Sequence, residues 1–405
     1  MDSDVVQAVN RLTSRWAREL PTGGNTVVSG LGLWPLLALL ATAADEPGRS
    51  ELAEAAGVDA GDGAAKAVEL IEAVDSARDL HAALGVWVHE QLKLSESFDS
   101  VVPAALSGTL TGDLAGDKAK LDAWATKHTD GLIREMPLEV TPDLAVVLAS
   151  ALSLRTTWEL AFTEQVRQVH EGPWAGGAWH WLERTDRDLG TVSLYDGLTV
   201  VTVQGDADVD VLLGIGAADA PQADVLGGLL AASAGADGLA GAELIERGQP
   251  GDDVAPGVRI GQTTAPVPDV RLSLPSFKVE AEHDLLDLRE LFGLATVTSS
   301  PRGAGHFSAL SPDSLVVGQA RQTVLARFFA TGFEAAAVTA MGLMRTSMPT
   351  KQARRLEVSL NRPFAFVAVH RESRLPVVAG WIAQPTEPAV WNSLLRRAEA
   401  SSTWS

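Results

Sequence analysis

Near the C-terminus, VSLNRPFAFVAV (358–369) and LPVVAGWIA (375–383) are apolar at nearly every position. Both read as β-strands, and neither alternates between an apolar and a polar face. Such strands need cover on both sides of a sheet. HRES and Arg374 join them, which makes an antiparallel hairpin. Helical patterns dominate the first part of the chain. Val5, Val9, Leu12, Trp16 and Leu20 share one helical face, with Ser3 or Asp4 placed to cap it. LWPLLALLATAAD (33–45) is apolar all round and reads as a buried helix. SELAEAAG (50–57) is a short helix that Gly57 terminates. LDAWATKHTDGLI (121–133) is a helix that breaks near Gly131. Strands are expected at 82–90 and 144–158, and in short pieces over 169–213. Residues 270–293 are expected to form a strand and then a helix closed by Gly293. Helices first, strands later and antiparallel pairing at the end describe an α+β fold, not a βαβ series. The Gly-, Ala- and Asp-rich stretch 214–257, with a helix over 223–232, reads as a variable segment.

Composition narrows the function. The formal net charge of −20 and the lack of a dense Lys/Arg cluster argue against nucleic acid as a partner. There are no cysteines, which excludes disulfides, thiolate metal sites and a Cys nucleophile. The longest apolar run, Gly30 to Ala44, is too short to span a bilayer and contains Pro35. The N-terminus does not read as a signal peptide, so a cytoplasmic protein is expected. HEGPWAGGAWHW (170–181) concentrates His and Trp. It reads either as a metal or ring-stacking site, or as two antiparallel strands about Gly176-Gly177 with cross-strand aromatic pairs. GIGAAD (214–219) lacks the third Gly of a dinucleotide fingerprint. No HExxH, P-loop or GxSxG occurs, so no catalytic residues, metal or cofactor are assigned.

GFEAAAVTAMGLMRTSMP (332–349) is harder to place. It is nearly uncharged until Arg345, yet Val338, Thr339 and Gly342 interrupt any helix that the alanines favour. Its first part, followed by LNRPFAFVAV and then VVAGWIAQP, resembles the serpins, the serine protease inhibitor family. Gly332, Glu334, Ala335, Ala336, Ala337, Thr339 and Ala340 match that family's loop hinge. Asn361, Arg362, Pro363 and Phe364 match its closing signature, and Gly380 and Pro385 match its last strand. Blocks 27–57, 84–98, 121–133, 147–162 and 270–293 resemble the family in the same order, with Trp158 and Phe162 at the expected places. The resemblance spans roughly 5 to 388 and is weakest from 163 to 266.

The resemblance implies a single serpin domain over 1–388, with three β-sheets, eight to nine helices and an exposed reactive loop at about 332–350. Residues 389–405 would form a tail. It implies a monomer that inhibits a serine protease, or a related cysteine protease, with no catalytic group of its own. The protease cleaves the loop as substrate and forms an acyl-enzyme; the freed loop then inserts into the main sheet. Small residues suit a segment that must be solvated first and packed in a sheet afterwards. The family's usual loop length puts the cut between Thr346 and Ser347. A loop one residue shorter would put it between Arg345 and Thr346. Ser29, Gly32, Ser150, Gln322 and Trp158 fall in the polar cluster where the sheet opens.

The sequence also departs from the family pattern. Phe333 replaces the usual Thr or Ser at the first inward loop position, and Ala330 and Thr331 stand where two acids are usual. Gly32, Ser150 and Gln322 replace Ser, Asn and His. Overpacking a sheet with a ring costs about 1–3 kcal/mol, so insertion is expected to slow by roughly five- to a hundredfold. These departures point toward the rival reading, a non-inhibitory serpin-fold binding or chaperone-like protein. The alanine-rich hinge points to the inhibitor.

Overall fold

The computed structural model of the chain describes residues 1–98, 102–300, 303–333 and 353–393. In chain order the first elements are α1 (Ser3–Arg18), β1 (Thr26–Val28), α2 (Gly30–Ala43), α3 (Gly48–Ala56), α4 (Gly63–Asp75), β2 (Leu80–His89), β3 (Ser107–Leu110), α5 (Leu114–His128), β4 (Val146–Leu154) and β5 (Thr156–Thr157). Next come β6 (Thr163–Gln168), β7 (Ala178–Asp186), β8 (Val192–Tyr195), β9 (Leu198–Gln204), β10 (Val209–Ile215), α6 (Gln222–Ser233), β11 (Leu239–Ala240), α7 (Gly241–Leu244), β12 (Asp253–Ala255) and β13 (Val258–Thr263). The last are β14 (Asp269–Pro275), β15 (Phe277–Asp284), β16 (Arg321–Phe328), β17 (Gly332–Phe333), β18 (Ala353–Ser359), β19 (Phe364–His370) and β20 (Leu375–Ile382). The α+β class holds.

Two compact units share these elements. The first comprises Met1–Trp16, Ser29–Leu154 and Ala281–Val324; the second comprises Ala17–Val28, Arg155–Glu280 and the chain from Leu325 onward. Each is assembled from three separated stretches, so neither is a domain in the sequence sense.

In the first unit, α1 buries Val5, Val9, Leu12 and Trp16 as its spacing requires. Its cap is Asp2, whose Oδ1 accepts from Asp4 N at 2.8 Å, rather than Ser3 or Asp4. Helix α2 is buried along its length, and Gly57 closes α3 at φ 65°. Strands β3, β2 and β4 form a three-stranded sheet. Trp87, Leu110, Leu121, Ala125, Met136, Val147 and Ala149 make a hydrophobic cluster in which α5 residues pack beside β2 and β4 residues.

In the second unit, the order β1-β20-β19-β10-β9-β8-β11 forms a seven-stranded sheet. The hairpin β19–β20 lies inside it, every residue of β20 buried, as its two apolar faces demand. Gly380 faces Phe366 in that pair, and a Cβ there would lie 2.5 Å from both the Phe366 ring and Thr26 O. Only glycine fits. Helix α6 packs on β19 and β10 through Val225, Leu226, Leu229 and Leu230. Within the stretch 214–257, the helix expected over 223–232 is thus α6 and packs on the core, while 234–237 and 249–253 are exposed. A second sheet has the order β12-β13-β18-β14-β7-β6.

Two further expectations are corrected. The helix expected before Gly293 is a single 3₁₀ segment, Leu285–Leu288; FKVEAEHD, which precedes it, is β15. The fold does not stop at 388: residues 388–393 are helical and Trp391 is fully buried. Among the described residues the strands group into four sheets. The fourth has the order β15-β16-β17-β5, and no pairing joins β4 to β16 among the described residues.

Candidate functional site

The hinge is built in the second unit. After β16 the chain turns through Phe329-Ala330-Thr331 and returns as β17. Phe328 pairs with Phe333, Gly332 with Thr157, and Phe333 with Thr156, all antiparallel. Phe329 N donates to Gly332 O at 2.8 Å and closes the turn. The three turn carbonyls are taken by one short segment. Trp158 Nε1 donates to Phe329 O at 2.9 Å, Phe162 N to Ala330 O at 2.8 Å, and Trp158 N to Thr331 O at 3.0 Å. A buried turn needs such partners for its backbone.

Phe333 is 2% exposed. Its ring meets Phe328 edge-on with centroids 6.4 Å apart and lies 6.3 Å from Phe366. Phe277 stacks on Phe328 at 5.3 Å and Trp158 tilts over it at 4.6 Å. These spacings are those of favourable aromatic pairs. In the uncleaved chain the ring is seated in an aromatic nest formed by these neighbours.

The first unit holds a slot. β4 has β2 as its neighbour on one edge, and its other edge has no strand pairing among the described residues. That edge borders a cavity of about 470 Å³ lined by Leu33 and Leu37 of α2, Val147 and Ala149 of β4, and Val316 and Thr323. An apolar cavity bordered by a free strand edge is complementary to an added strand. At its α2 end, Ser29, Gly32, Ser150 and Gln322 form one network. Ser29 N donates to Gln322 Oε1 at 3.1 Å, and Gln322 Nε2 to Ser29 O at 3.0 Å. Gly32 N donates to Ser29 Oγ at 3.0 Å, and Ser150 Oγ to Gly32 O. The Gln322 amide has one acceptor and two donors, so it serves both the N–H and the carbonyl of Ser29.

Replacing Gln322 by alanine removes both of its hydrogen bonds to the Ser29 backbone. Each lost hydrogen bond costs about 0.5–1.5 kcal/mol, so Gln322→Ala is expected to lower unfolding stability by about 1–3 kcal/mol. Gln322→His should restore part of it. Urea denaturation of the uncleaved protein reads both.

The residues after the loop are fixed in the second unit. β18 pairs antiparallel with β13 on one side and parallel with β14 on the other. Arg355 forks onto Asp269, Nε to Oδ1 at 2.6 Å and Nη2 to Oδ2 at 2.8 Å; that hydrogen bonding raises the Arg355 pKa further. Of the signature Asn361 to Phe364, Arg362 Nη2 donates to Gly216 O at 2.5 Å, its pKa lowered by burial, and its Nη1 donates to Asn361 Oδ1 at 3.2 Å. Pro363 is half-buried, and Phe364 is fully buried against Phe277.

Several sequence-named residues sit elsewhere. Trp158 belongs to the hinge and not to the Ser29 network. Glu334, Ala335, Ala336, Ala337, Thr339 and Ala340 lie outside the described residues, as do Arg345, Thr346 and Ser347. The His/Trp stretch is the β6–β7 connection and the start of β7: His170 is exposed, and His180 Nδ1 lies 2.7 Å from Glu164 Oε1. Trp174 Nε1 donates to Ala383 O, and Trp181 is buried. The expected cross-strand aromatic pairs do not form: β6 lies before the stretch, and Trp179 faces Arg167 while Trp181 faces Gln165. Sequence reasoning missed the aromatic nest, whose signal is the run of Phe in β16 and β19, and it missed Trp391.

The profile of the family described as Serpin (serine protease inhibitor) matches residues 7–172 and 259–385. Serpin-ZX of Arabidopsis thaliana is 28% identical over 137 residues, 30% of this chain and 33% of that protein, so the match spans about a third of the relative's length. The solved structure of Serpin48, a serpin of the insect Tenebrio molitor, superposes with a TM-score of 0.70 at 16% identity, covering 95% of this chain and 99% of that one. Thyroxine-binding globulin in complex with thyroxine superposes with a TM-score of 0.65 at 17% identity over 95% of this chain and 99% of that one. These structural likenesses show the fold. With the family profile covering well over half of its residues, the chain belongs to the serpin family.

Proposed function

We propose that the chain is a suicide-substrate inhibitor of serine proteases, or of a related cysteine protease, that works by inserting its cleaved loop between β4 and β16. The observation that carries this reading is the register of β17. If the pairs Phe333↔Thr156 and Phe328↔Phe333 continued on insertion, Ala337 would come opposite Leu152 and Val324. Thr339 would come opposite Ser150 and Gln322. These alternate residues would face α2, while Val338 would point away. The small hinge residues therefore fall where the free edge of β4 and the apolar cavity ask for a narrow strand. The polar Thr339 falls at the polar network.

In the proposed reaction the nucleophilic oxygen or sulfur of the protease attacks the Thr346 carbonyl and forms an acyl-enzyme, and Ser347 leaves as a free amine. The downstream product stays with β18, held on both edges. The upstream arm, already turned at Phe329, zips into the slot with the protease attached. In this reading the free energy comes from pairing and burying the β4 edge, which has no strand partner among the described residues, and the uncleaved state is kinetically held. The departures at Ala330 and Thr331 support the rival reading of a binding protein whose loop does not insert.

Incubation with trypsin-, chymotrypsin-, elastase- and subtilisin-like proteases, followed by denaturing gels and intact mass, separates the two. A denaturant-stable complex with release of Ser347–Ser405 supports inhibition at Thr346. A fragment beginning at Thr346 makes Arg345 the recognised residue. Cleavage with no complex and no gain in thermal stability supports the binding protein.

A further inference from the structure

The family match ends at residue 385, yet the chain beyond it reaches back to the hinge. Trp391 is 0% exposed and stacks on Phe329, with ring centroids 4.9 Å apart and planes tilted by 34°. The two rings form a small hydrophobic cluster of their own, apart from the main core. The indole Nε1 donates to Glu164 Oε1 on β6 at 2.7 Å, the same oxygen that lies 2.7 Å from His180 Nδ1 on β7. Trp391 N donates to Glu387 O at 2.9 Å, which fixes the backbone that carries the indole. Phe329 is where the hinge turns: its N–H closes the turn on Gly332 O and its carbonyl takes the Trp158 indole.

We propose that Trp391 is a positioning residue for the hinge, a latch supplied by the C-terminal extension. By covering one face of Phe329, it leaves that residue only 6% exposed and keeps the turn Phe329–Gly332 closed. A closed turn holds Gly332 and Phe333 paired as β17, in the register from which the rest of the loop would insert. Glu164 fixes the indole because a buried indole N–H requires an acceptor. The latch regulates the insertion site proposed above. As a property of the uncleaved chain, it is also measurable without any protease.

The test is hydrogen exchange by mass spectrometry on the full-length uncleaved chain, following the peptide 325–333 against the hairpin 364–382. In Trp391→Ala the hinge peptide is expected to exchange at least tenfold faster while the hairpin is unchanged. Trp391→Phe, which keeps the stack without the N–H, should recover most of the protection. Glu164→Ala should loosen the hinge by a smaller factor, and it serves as the independent variant if Trp391→Ala does not fold. Unchanged hinge exchange in the variants that fold, or equal loss in hinge and hairpin, overturns the proposal. Where the parent forms a protease complex, the latch variants should shift products toward cleaved inhibitor. A parent that forms no complex sinks the inhibitor reading and leaves the exchange result to judge the latch alone.

Discussion

Replacing Thr339 by arginine is expected to convert the protein from inhibitor to plain substrate. Register continuation sets residue 339 between Ser150 and Gln322, whose side chains are engaged with Gly32 and Ser29. A guanidinium there meets no carboxylate in the network. Burying an unpaired charge costs several kcal/mol. At about 1.4 kcal/mol per tenfold, insertion slows by a thousandfold or more, and hydrolysis of the acyl-enzyme wins. The proposed mechanism keeps the loop solvated before cleavage, so uncleaved stability should change by less than about 0.5 kcal/mol. Gel and mass analysis with any protease that the parent traps should show full release of Ser347–Ser405 and no complex. A complex yield equal to the parent's would mean that residue 339 does not enter the slot in this register, and it would refute the proposed path.

The elements that could be read from sequence are those whose evidence is local. Gly57 has to stop a helix, and it does. The hairpin β19–β20 has no polar face, and it lies inside a sheet. Helix α4 escapes a reading by pattern although Ala67, Leu70, Ile71 and Val74 recur at helical spacing and are buried; its alanines and nearby glycines mask the periodicity. The helix expected before Gly293 fails for the opposite reason. Leu285, Leu286 and Leu288 look amphipathic, but β15 alternates up to Asp284 and leaves room for one 3₁₀ turn.

The site was legible only through the family resemblance. Ser29 and Gln322 are 293 residues apart, and no pattern in the chain ties one to the other. The resemblance placed both, but it misplaced Trp158, whose indole serves the Phe329 carbonyl. It was silent on Trp391, which lies beyond the matched residues. A tryptophan in a polar terminal segment gives no local signal of the ring it will cover. Phe333 shows the limit most clearly. Its size was read against a generic sheet interior, whereas the cost of a ring depends on which side chains line its particular seat.

That seat leads to the prediction with the least intuitive sign. Phe333→Thr installs the residue type usual in the family at this position, so a reading by resemblance alone expects faster insertion. The structure argues for the reverse. Phe333 fills space bounded by Phe328 and Phe366, and around it Phe277, Phe364 and Trp158 are already packed ring to ring. Truncating a buried Phe leaves a cavity that such rings cannot collapse into, at a cost of about 3 kcal/mol. The threonine hydroxyl adds a polar group to an apolar nest. Because the hinge can undock, part of the loss should appear as release of Gly332 and the substituted residue from β16 and β5 rather than as global unfolding. The docked population would then fall by up to about a hundredfold. The inserted, cleaved form should lose the full amount. Expected results are a lower thermal midpoint of the cleaved protein and a larger share of substrate turnover at each encounter with a protease. Stopped-flow insertion rates with a fluorophore on the loop, compared between parent and Phe333→Thr, decide the matter. A faster rate in the variant would show that the ring obstructs the slot, and it would return the generic overpacking argument to this position.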